Sequence, residues 1–381
     1  MHITLRITGL FLALIFFASC NTGVEQSDKT KVLPAKAAAL SYAKRFTIKE
    51  EKGYTVLELL GNRNNNSVTS TFVLYKNEKP QYHKEAYYIH LPVKKVASMS
   101  SIYTVMLIEL GEINSVAAID NVDYYTSEIV QKRVSEGTIM QLSRGPAIEI
   151  EKTLALKPDL MLTFGMGDLK ADIDKKLFNA GLPVAISLDH LEETPLARAE
   201  WIKFFACFFE KQQLADSLFR LTEKRYNALK ALAANSTARP RVLTEIKYGD
   251  TWYVPSGKSY MANLIADAGG DYFWKDDKKT GSTPLAFEMV YAKAKNCDVW
   301  INTYNLNSKK ELLSYDERYA LFKAYKANRV YNNNKVQNSK GYSKYWETAM
   351  IHPDDVLADL ICIFYPQLMP EHAFNYYKKL E

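Results

Sequence analysis

Residues able to carry chemistry are present in this sequence but do not gather into a catalytic or metal-binding pattern. Past the N-terminal segment the histidines are His83, His90, His190, His352 and His372. The tightest group, His83, Glu85 and His90, fails on geometry. On an extended strand His83 and Glu85 share a face, while His90, an odd number of residues on, points away. No metal site is therefore expected. Cysteines occur at Cys20, Cys207, Cys297 and Cys362, without CxxC or Cys/His spacing. "FFACFFE" and "LICIFY" surround Cys207 and Cys362 with apolar residues, and the three downstream cysteines read as small buried hydrophobes. No nucleophile with a neighbouring base is visible, so no catalytic residue is assigned. Glu151 and Glu288 remain, each early in a short helical pattern that leads through a polar turn into an apolar run.

Length and composition frame the elements that must place these residues. The 381 residues, 47% hydrophobic and 24% charged, fit a globular protein of two lobes. The formal charge of +6 is spread without a basic block, which argues against nucleic-acid binding. "MHITLRITGLFLALIFFASCNTG" combines Arg6 with an apolar run from Leu10 to Phe17, too short to span a bilayer and of signal-peptide form. Its end, Phe17-Ala18-Ser19-Cys20, resembles the lipobox of bacterial lipoproteins, with Phe where Leu is commoner. That resemblance makes Cys20 an acylated membrane anchor. The expected organisation is a signal peptide at 1–19, a tether at 20–35, and a first lobe at 36–197 with extra β-hairpins. Bridging helices at 198–238, a second lobe at 239–350 and a C-terminal helix within 351–381, packing back on the lobes, complete it.

The element pattern repeats. "KRFTIKEEKGYTVLELLG" and "STFVLYKN" read as β-hairpins with a turn at Lys52-Gly53, an edge decoration. "PVKKVASMSSIYTVMLIELGEINSVAAID" is a βαβ unit whose helix stops at Gly111. "AIEIEKTLALKPDLMLTFG" places Ile148, Ile150, Leu154 and Leu156 on a short helix, then a buried strand; Pro158 ends the helix by disfavouring it at Lys157. "KKLFNAGLPVAIS" repeats the scheme around Gly181. Between Pro195 and Pro240 there is no glycine or proline. One apolar face there holds Trp201, Phe204, Phe205 and Phe208; another, out of phase, holds Leu214, Leu218, Leu221, Leu229 and Leu232. The slip near Lys211-Gln212 predicts two helices, the second roughly 20 residues long, ~30 Å. "PRVLTEIKYGDTWYVPSGKSYMANLIADAGG" and "PLAFEMVYAKAKNCDVWINTY" then restart the pattern, and Glu288 falls where Glu151 fell. The fold class is α/β: two Rossmann-like lobes with mostly parallel sheets bridged by a long α-helix, with a ligand cleft between them.

Taken in order, these stretches resemble the class III periplasmic substrate-binding proteins of ABC importers, carriers of ferric siderophores, haem and cobalamin. The resemblance covers roughly residues 92 to 370 and rests on "VASMSSIYTVMLIELGEINSVAAI", "IEKTLALKPDLML", "MANLIADAGG" and "HPDDVLADLICIFYP". "AKAKNCDV" departs from the family by lacking a proline. The resemblance implies a stiff bridging helix with little hinge motion and an importer permease dimer as partner. It also implies a docking glutamate on each lobe, which by position are Glu151 and Glu288, received by arginine pockets that grip carboxylates bidentately. A monomer is implied, without resident cofactor, carrying a metal-chelate or corrinoid ligand on the periplasmic side of a membrane to which Cys20 holds it.

In such a fold, ligand contacts come from the loops after the strands' C-terminal ends. The candidates are Ser100, Ser101, Tyr124, Tyr125, Arg144, Gly165, Met166, Tyr248, Trp252, Tyr253, Asn302, Tyr304 and Tyr342 through Trp346. His190 is the histidine placed to reach a haem. The aromatic side chains suit a large planar or amphipathic chelate, and Arg144 suits an anionic one. The leading reading is delivery of an iron complex, ferric siderophore or haem, to an inner-membrane importer, with cobalamin as alternative cargo. A second is an enzyme on a two-lobed metallocofactor scaffold, which needs the nucleophile or cysteine cluster the sequence lacks. A third is a surface lipoprotein feeding an outer-membrane receptor.

Overall fold

The computed structural model describes residues 40–61, 67–144, 147–166 and 169–381; Cys20, the leader and the tether lie outside them. Two five-stranded sheets organise the chain. In the first, Val184–Ser187, Leu160–Phe164, Val96–Ser98, Val116–Ile119 and Met140–Gln141 lie side by side, all parallel. In the second, Asp271–Tyr272, Arg241–Thr244, Val299–Ile301 and Val330–Asn332 are parallel, and Lys378–Lys379 adds an antiparallel edge. Leaving aside the short edge strands Met140–Gln141 and Lys378–Lys379, the two sheets share one order, the repeat seen in sequence: the leading strand is flanked by its successor on one side and by the next two on the other. "VAIS" and "VWI" are buried throughout, as sheets covered on both faces require.

Local chemistry sets the boundaries. The helix Ile150–Leu156 ends on Lys157 at φ 47, because Pro158 excludes the right-handed helical region there. Ile148 is not on that helix but in a two-stranded hairpin, Ser143–Arg144 with Ala147–Ile148. Pro353 opens the helix Pro353–Phe364, with His352 as its N-cap. That helix buries Val356, Leu357, Leu360, Ile361 and Ile363 and packs along the long helix.

The bridge comprises Pro195–Ala199, Ile202–Cys207 and Gln212–Ala234, so the first apolar face is divided between two short helices. The last break falls at the phase slip, where Glu210 adopts φ 58. The long helix has 23 residues, about 34 Å. Its buried line is Ala215, Asp216, Phe219, Tyr226 and Ala233, whereas Leu214 and Leu221 are exposed. The leucine face is thus corrected in part: Leu218 and Leu229 do pack, partly buried, against the two cores. The helix serves two cores, Ala215 and Phe219 in the first and Tyr226 and Ala233 in the second, and the aromatic side chains have the reach for both.

The N-terminal hairpins are also more than an edge decoration. Phe46–Glu51, Tyr54–Leu60, Val68–Tyr75 and Tyr87–His90 form a separate sheet laid over the bridge. Phe46 meets Trp201 and Phe204 at 4.8 and 5.5 Å between ring centres, and Phe72 meets Phe208 at 5.7 Å. Two buried carboxylates fasten the entering chain. Glu200 accepts from the backbone amides of Ser41, Tyr42 and Ala43 at 2.8 to 3.2 Å, and Glu192 from those of Lys44 and Arg45 at 2.8 and 2.9 Å.

Candidate functional site

The strand ends of the two lobes face a common seam. After Val116–Ile119 the first lobe runs into a loop from Asp120 to Ser127, and the 333–350 segment of the second lobe crosses to it. Glu347, 1% exposed, accepts from Thr126 N at 2.7 Å, from the Thr126 hydroxyl and from Ser127 N at 3.3 Å. Asn338 Nδ2 donates to the carbonyls of Asp123 and Tyr125 at 2.8 and 2.9 Å. The Tyr124 and Tyr342 rings meet edge to face at 4.8 Å. Elsewhere on the seam Arg198 donates to His190 O at 2.6 Å and lies 4.4 Å over the Tyr260 ring.

This arrangement sorts the expected ligand residues. Met166, Tyr248, Tyr253, Tyr304, Tyr342 and Trp346 are exposed, as is Phe164, which the sequence reading passed over. Ser100, Ser101, Tyr124 and Gly165 are partly accessible. Ser100 caps the helix Ser101–Glu109 without a side-chain hydrogen bond, leaving its hydroxyl for another partner. A Cβ on Gly165 would stand 2.6 Å from Asp172 Cγ, so this strand end admits only glycine without rearrangement. Arg144 pairs through its backbone with Ala147. Five candidates are corrected: Asn302, Ser343 and Tyr345 are buried, as are the two that follow. Trp252 is 0% exposed, its ring packed 5.6 to 5.9 Å from Tyr319, Trp300 and Phe322, and it has no surface to present. Tyr125 is also fully buried, its hydroxyl 2.9 Å from Thr104 Oγ1 and 3.1 Å from Asp120 Oδ1.

Sequence reasoning missed the strand-end carboxylates. Glu245 follows Arg241–Thr244 and adopts φ 65; Asn302, after Val299–Ile301, adopts φ 61, and Tyr304 φ 58. Left-handed backbone at non-glycine residues is strained and concentrates at functional sites. Glu245 Oε1 accepts from Thr244 Oγ1 at 3.2 Å and from Asn302 Nδ2 at 3.4 Å, and Asn302 Oδ1 accepts from Tyr377 at 2.8 Å. Burial pushes the Glu245 carboxyl up to about 7 and that of Asp120 up to about 6. The only sequence signal was position, one residue beyond an apolar run.

Glu151 and Glu288 occupy the second position of equivalent helices, Ile150–Leu156 and Phe287–Ala294, each leading into a strand, Leu160–Phe164 or Val299–Ile301, that flanks the leading strand of its sheet. Their side chains are 81% and 75% exposed. Their surroundings differ. Glu151 meets Lys176 at 3.1 Å, and its own backbone amide, then Lys176, hold its carboxyl below the ordinary value. Glu288 receives Arg318 NH1 at 3.1 Å, and that guanidinium is forked onto Asp316 at 2.7 and 3.0 Å and lies 3.9 Å over the Phe287 ring. Asp316 also pairs with Lys247 at 2.8 Å, next to the exposed Tyr248.

Among the described residues no group of three His, Cys, Asp or Glu side chains is placed to hold a metal. His83 falls outside the strand Tyr87–His90, and His190 is exposed just beyond the strand Val184–Ser187. Cys207, Cys297 and Cys362 are unpaired, the first two buried, and burial pushes the Cys297 thiol up to about 12. No helix among the described residues is long and apolar enough to cross a membrane.

Two α/β lobes of matched topology, bridged by one helix and meeting at their strand ends, define a two-lobed binding protein. The periplasmic binding protein family matches residues 96–335, and the chain belongs to that family. An uncharacterized lipoprotein of Methanocaldococcus jannaschii is 28% identical over 304 residues, 76% of this chain and 70% of its own length. Among solved structures, an ABC transporter substrate-binding protein from Listeria monocytogenes has a TM-score of 0.56 at 19% identity, covering 72% of this chain and 100% of its own. A periplasmic heme-binding protein from Roseiflexus has a TM-score of 0.54 at 21% identity, covering 73% and 100%. At such identities these structures bear on the fold alone.

Proposed function

We propose that this protein is a lipid-anchored carrier that delivers an iron complex, ferric siderophore or haem, to an inner-membrane ABC importer. The observation that carries the reading is the pairing of an aromatic-rimmed seam with two exposed glutamates at equivalent places in the two lobes. Tyr124, Tyr248, Tyr253, Tyr304 and Trp346 offer flat apolar faces with polar edges, suited to a bulky chelate. Ser100, Ser101, Gly165, Met166 and Arg144 supply the first-lobe side of the contact. Glu151 and Glu288 dock with the permease dimer, and Cys20 carries the acyl chains. The family alternative, cobalamin as cargo, uses the same surfaces.

Co-purification of the native ligand with the full chain from membranes tests the cargo. Reconstitution with the importer in liposomes tests docking: Glu151→Ala with Glu288→Ala abolishes importer-stimulated uptake and leaves ligand affinity unchanged. Unchanged uptake removes the docking assignment.

A further inference from the structure

Glu245 is held at the floor of the seam with one carboxylate oxygen uncommitted. Its amide donates to Ile301 O at 3.1 Å and its carbonyl accepts from Trp300 Nε1 at 2.8 Å, so the backbone is pinned from both sides in its left-handed conformation. The weak contacts from Thr244 and Asn302 both go to Oε1. Among the described residues no hydrogen bond reaches Oε2 and no lysine or arginine pairs with the group. The residue as a whole is half-buried rather than sealed off. Asp120, from the first lobe, is likewise partly accessible and without a cationic partner among the described residues, though it accepts from Tyr125 at 3.1 Å and from the Asn121 amide and its own. Beside Asn302 the Thr303 hydroxyl is wholly buried with no partner.

A half-buried carboxylate oxygen without a protein donor is one that an incoming donor can satisfy. A ligand presenting its own carboxylates or catecholates at this depth meets like charge instead. Arg198 also lies on the seam, with one NH2 hydrogen committed to His190 O and its face to Tyr260; its Nε–H makes no hydrogen bond but is fully buried, so a ligand does not reach it in this conformation.

We propose that the seam selects cargo whose inserted end donates hydrogen bonds or is positively charged, such as an amide-bearing neutral chelate, with Glu245 as the chief acceptor and Asp120 as its first-lobe counterpart. This rests on the binding-protein reading above and narrows it.

The test is tryptophan-fluorescence titration of the full chain in detergent with four probes: a neutral ferric trihydroxamate, cyanocobalamin, haem with its two propionates, and a triply anionic ferric tricatecholate. One of the two amide-bearing neutral probes binds tightest. Measured at pH 8, where the carboxyl is ionised and accepts only, Glu245→Gln, which puts a group that also donates in its place, lowers the neutral-to-anionic affinity ratio by about tenfold or more, the scale of one hydrogen bond to a charged group. Asp120→Asn shifts the ratio in the same direction and serves if the first variant is unstable. Tighter binding of an anionic probe, or an unchanged ratio in both variants, overturns this inference and leaves the carrier reading standing. Binding of none of the four overturns both.

Discussion

Glu200 offers the most direct test of how the entering chain is held. Its side chain is wholly buried, and its two oxygens accept from the amides of Ser41, Tyr42 and Ala43 at 2.8 to 3.2 Å and from Lys203 Nζ at 3.0 Å. Glu200→Ala leaves three amides without an acceptor and leaves Lys203, 6% exposed, with Asp216 at 3.3 Å as its remaining ion pair. Breaking a buried charge pair from one side costs about 3–5 kcal/mol, and each orphaned buried donor about 1–3 kcal/mol. Water entering the vacated space satisfies some of the amides, so the expected loss is about 4 kcal/mol, a large share of the 5–15 kcal/mol that holds a typical domain. Glu200→Gln keeps a carbonyl oxygen for the amides and is expected to lose about half as much. Urea unfolding followed by circular dichroism reads both values, and hydrogen exchange at residues 41–43 separates local release from global unfolding. A loss below about 1 kcal/mol in Glu200→Ala, with those amides still protected, refutes the clamp.

Further outcomes follow from the same structure. Trp252→Ala, emptying a fully buried site, lowers stability by about 3–5 kcal/mol, while Trp346→Ala, 60% exposed, stays within about 0.5 kcal/mol but loses most of the ligand-induced fluorescence change; equal stability losses contradict this assignment. Arg318→Ala frees Glu288 to sample other rotamers, so the concentration giving half-maximal stimulation of importer ATPase rises severalfold with cargo affinity constant; an unchanged half-maximum rules out the positioning role. His352 Nε2 lies 3.5 Å from Glu109 Oε1. The Glu109 contact outweighs burial and raises the histidine above its ordinary 6.5, and the carboxyl is lowered from 4.5 chiefly by His352. The raised histidine stabilises fully below pH 6.5 and stops doing so as pH climbs through its folded value. The lowered carboxyl stabilises above pH 4.5 and stops as pH falls through its own. The stability gap between wild type and His352→Ala, measured by thermal melting, is therefore widest between those limits and narrows at pH 8; a gap flat with pH dismisses the ion pair.

Much of the architecture was legible because it is written in local patterns. Pro158 ended a helix, Gly111 and Gly181 marked stops, and the interval free of glycine and proline held the bridge, broken where the apolar phase slipped. Features built from distant residues were not legible. Glu192 and Glu200 find their partners about 150 residues earlier in the chain, and Glu245 gains its character from strands 57 residues apart. The leucine face held only at Leu218 and Leu229, because a helix shared by two cores is not obliged to bury one continuous stripe. Trp252 was open to better reading. It adjoins Tyr253 within the strand Thr251–Pro255, and the two-residue period sends neighbours to opposite faces, so both could not meet the same ligand.

The crossing segment that brings Glu347 and Asn338 onto the 120–127 loop has a bearing on signalling. With the bridging helix binding the lobes along one side and this strap clipping them at another, loading resembles filling a mould more than springing a trap. On this geometry the outline of the molecule, and with it the spacing between Glu151 and Glu288, is expected to stay nearly constant whether the slot is empty or full, and small-angle scattering with and without cargo checks this as an unchanged radius of gyration. If Glu151 and Glu288 dock as proposed, news of occupancy has to reach them through individual side chains, and the run from Tyr248 through Lys247, Asp316 and Arg318 to Glu288 is a ready-made route for it.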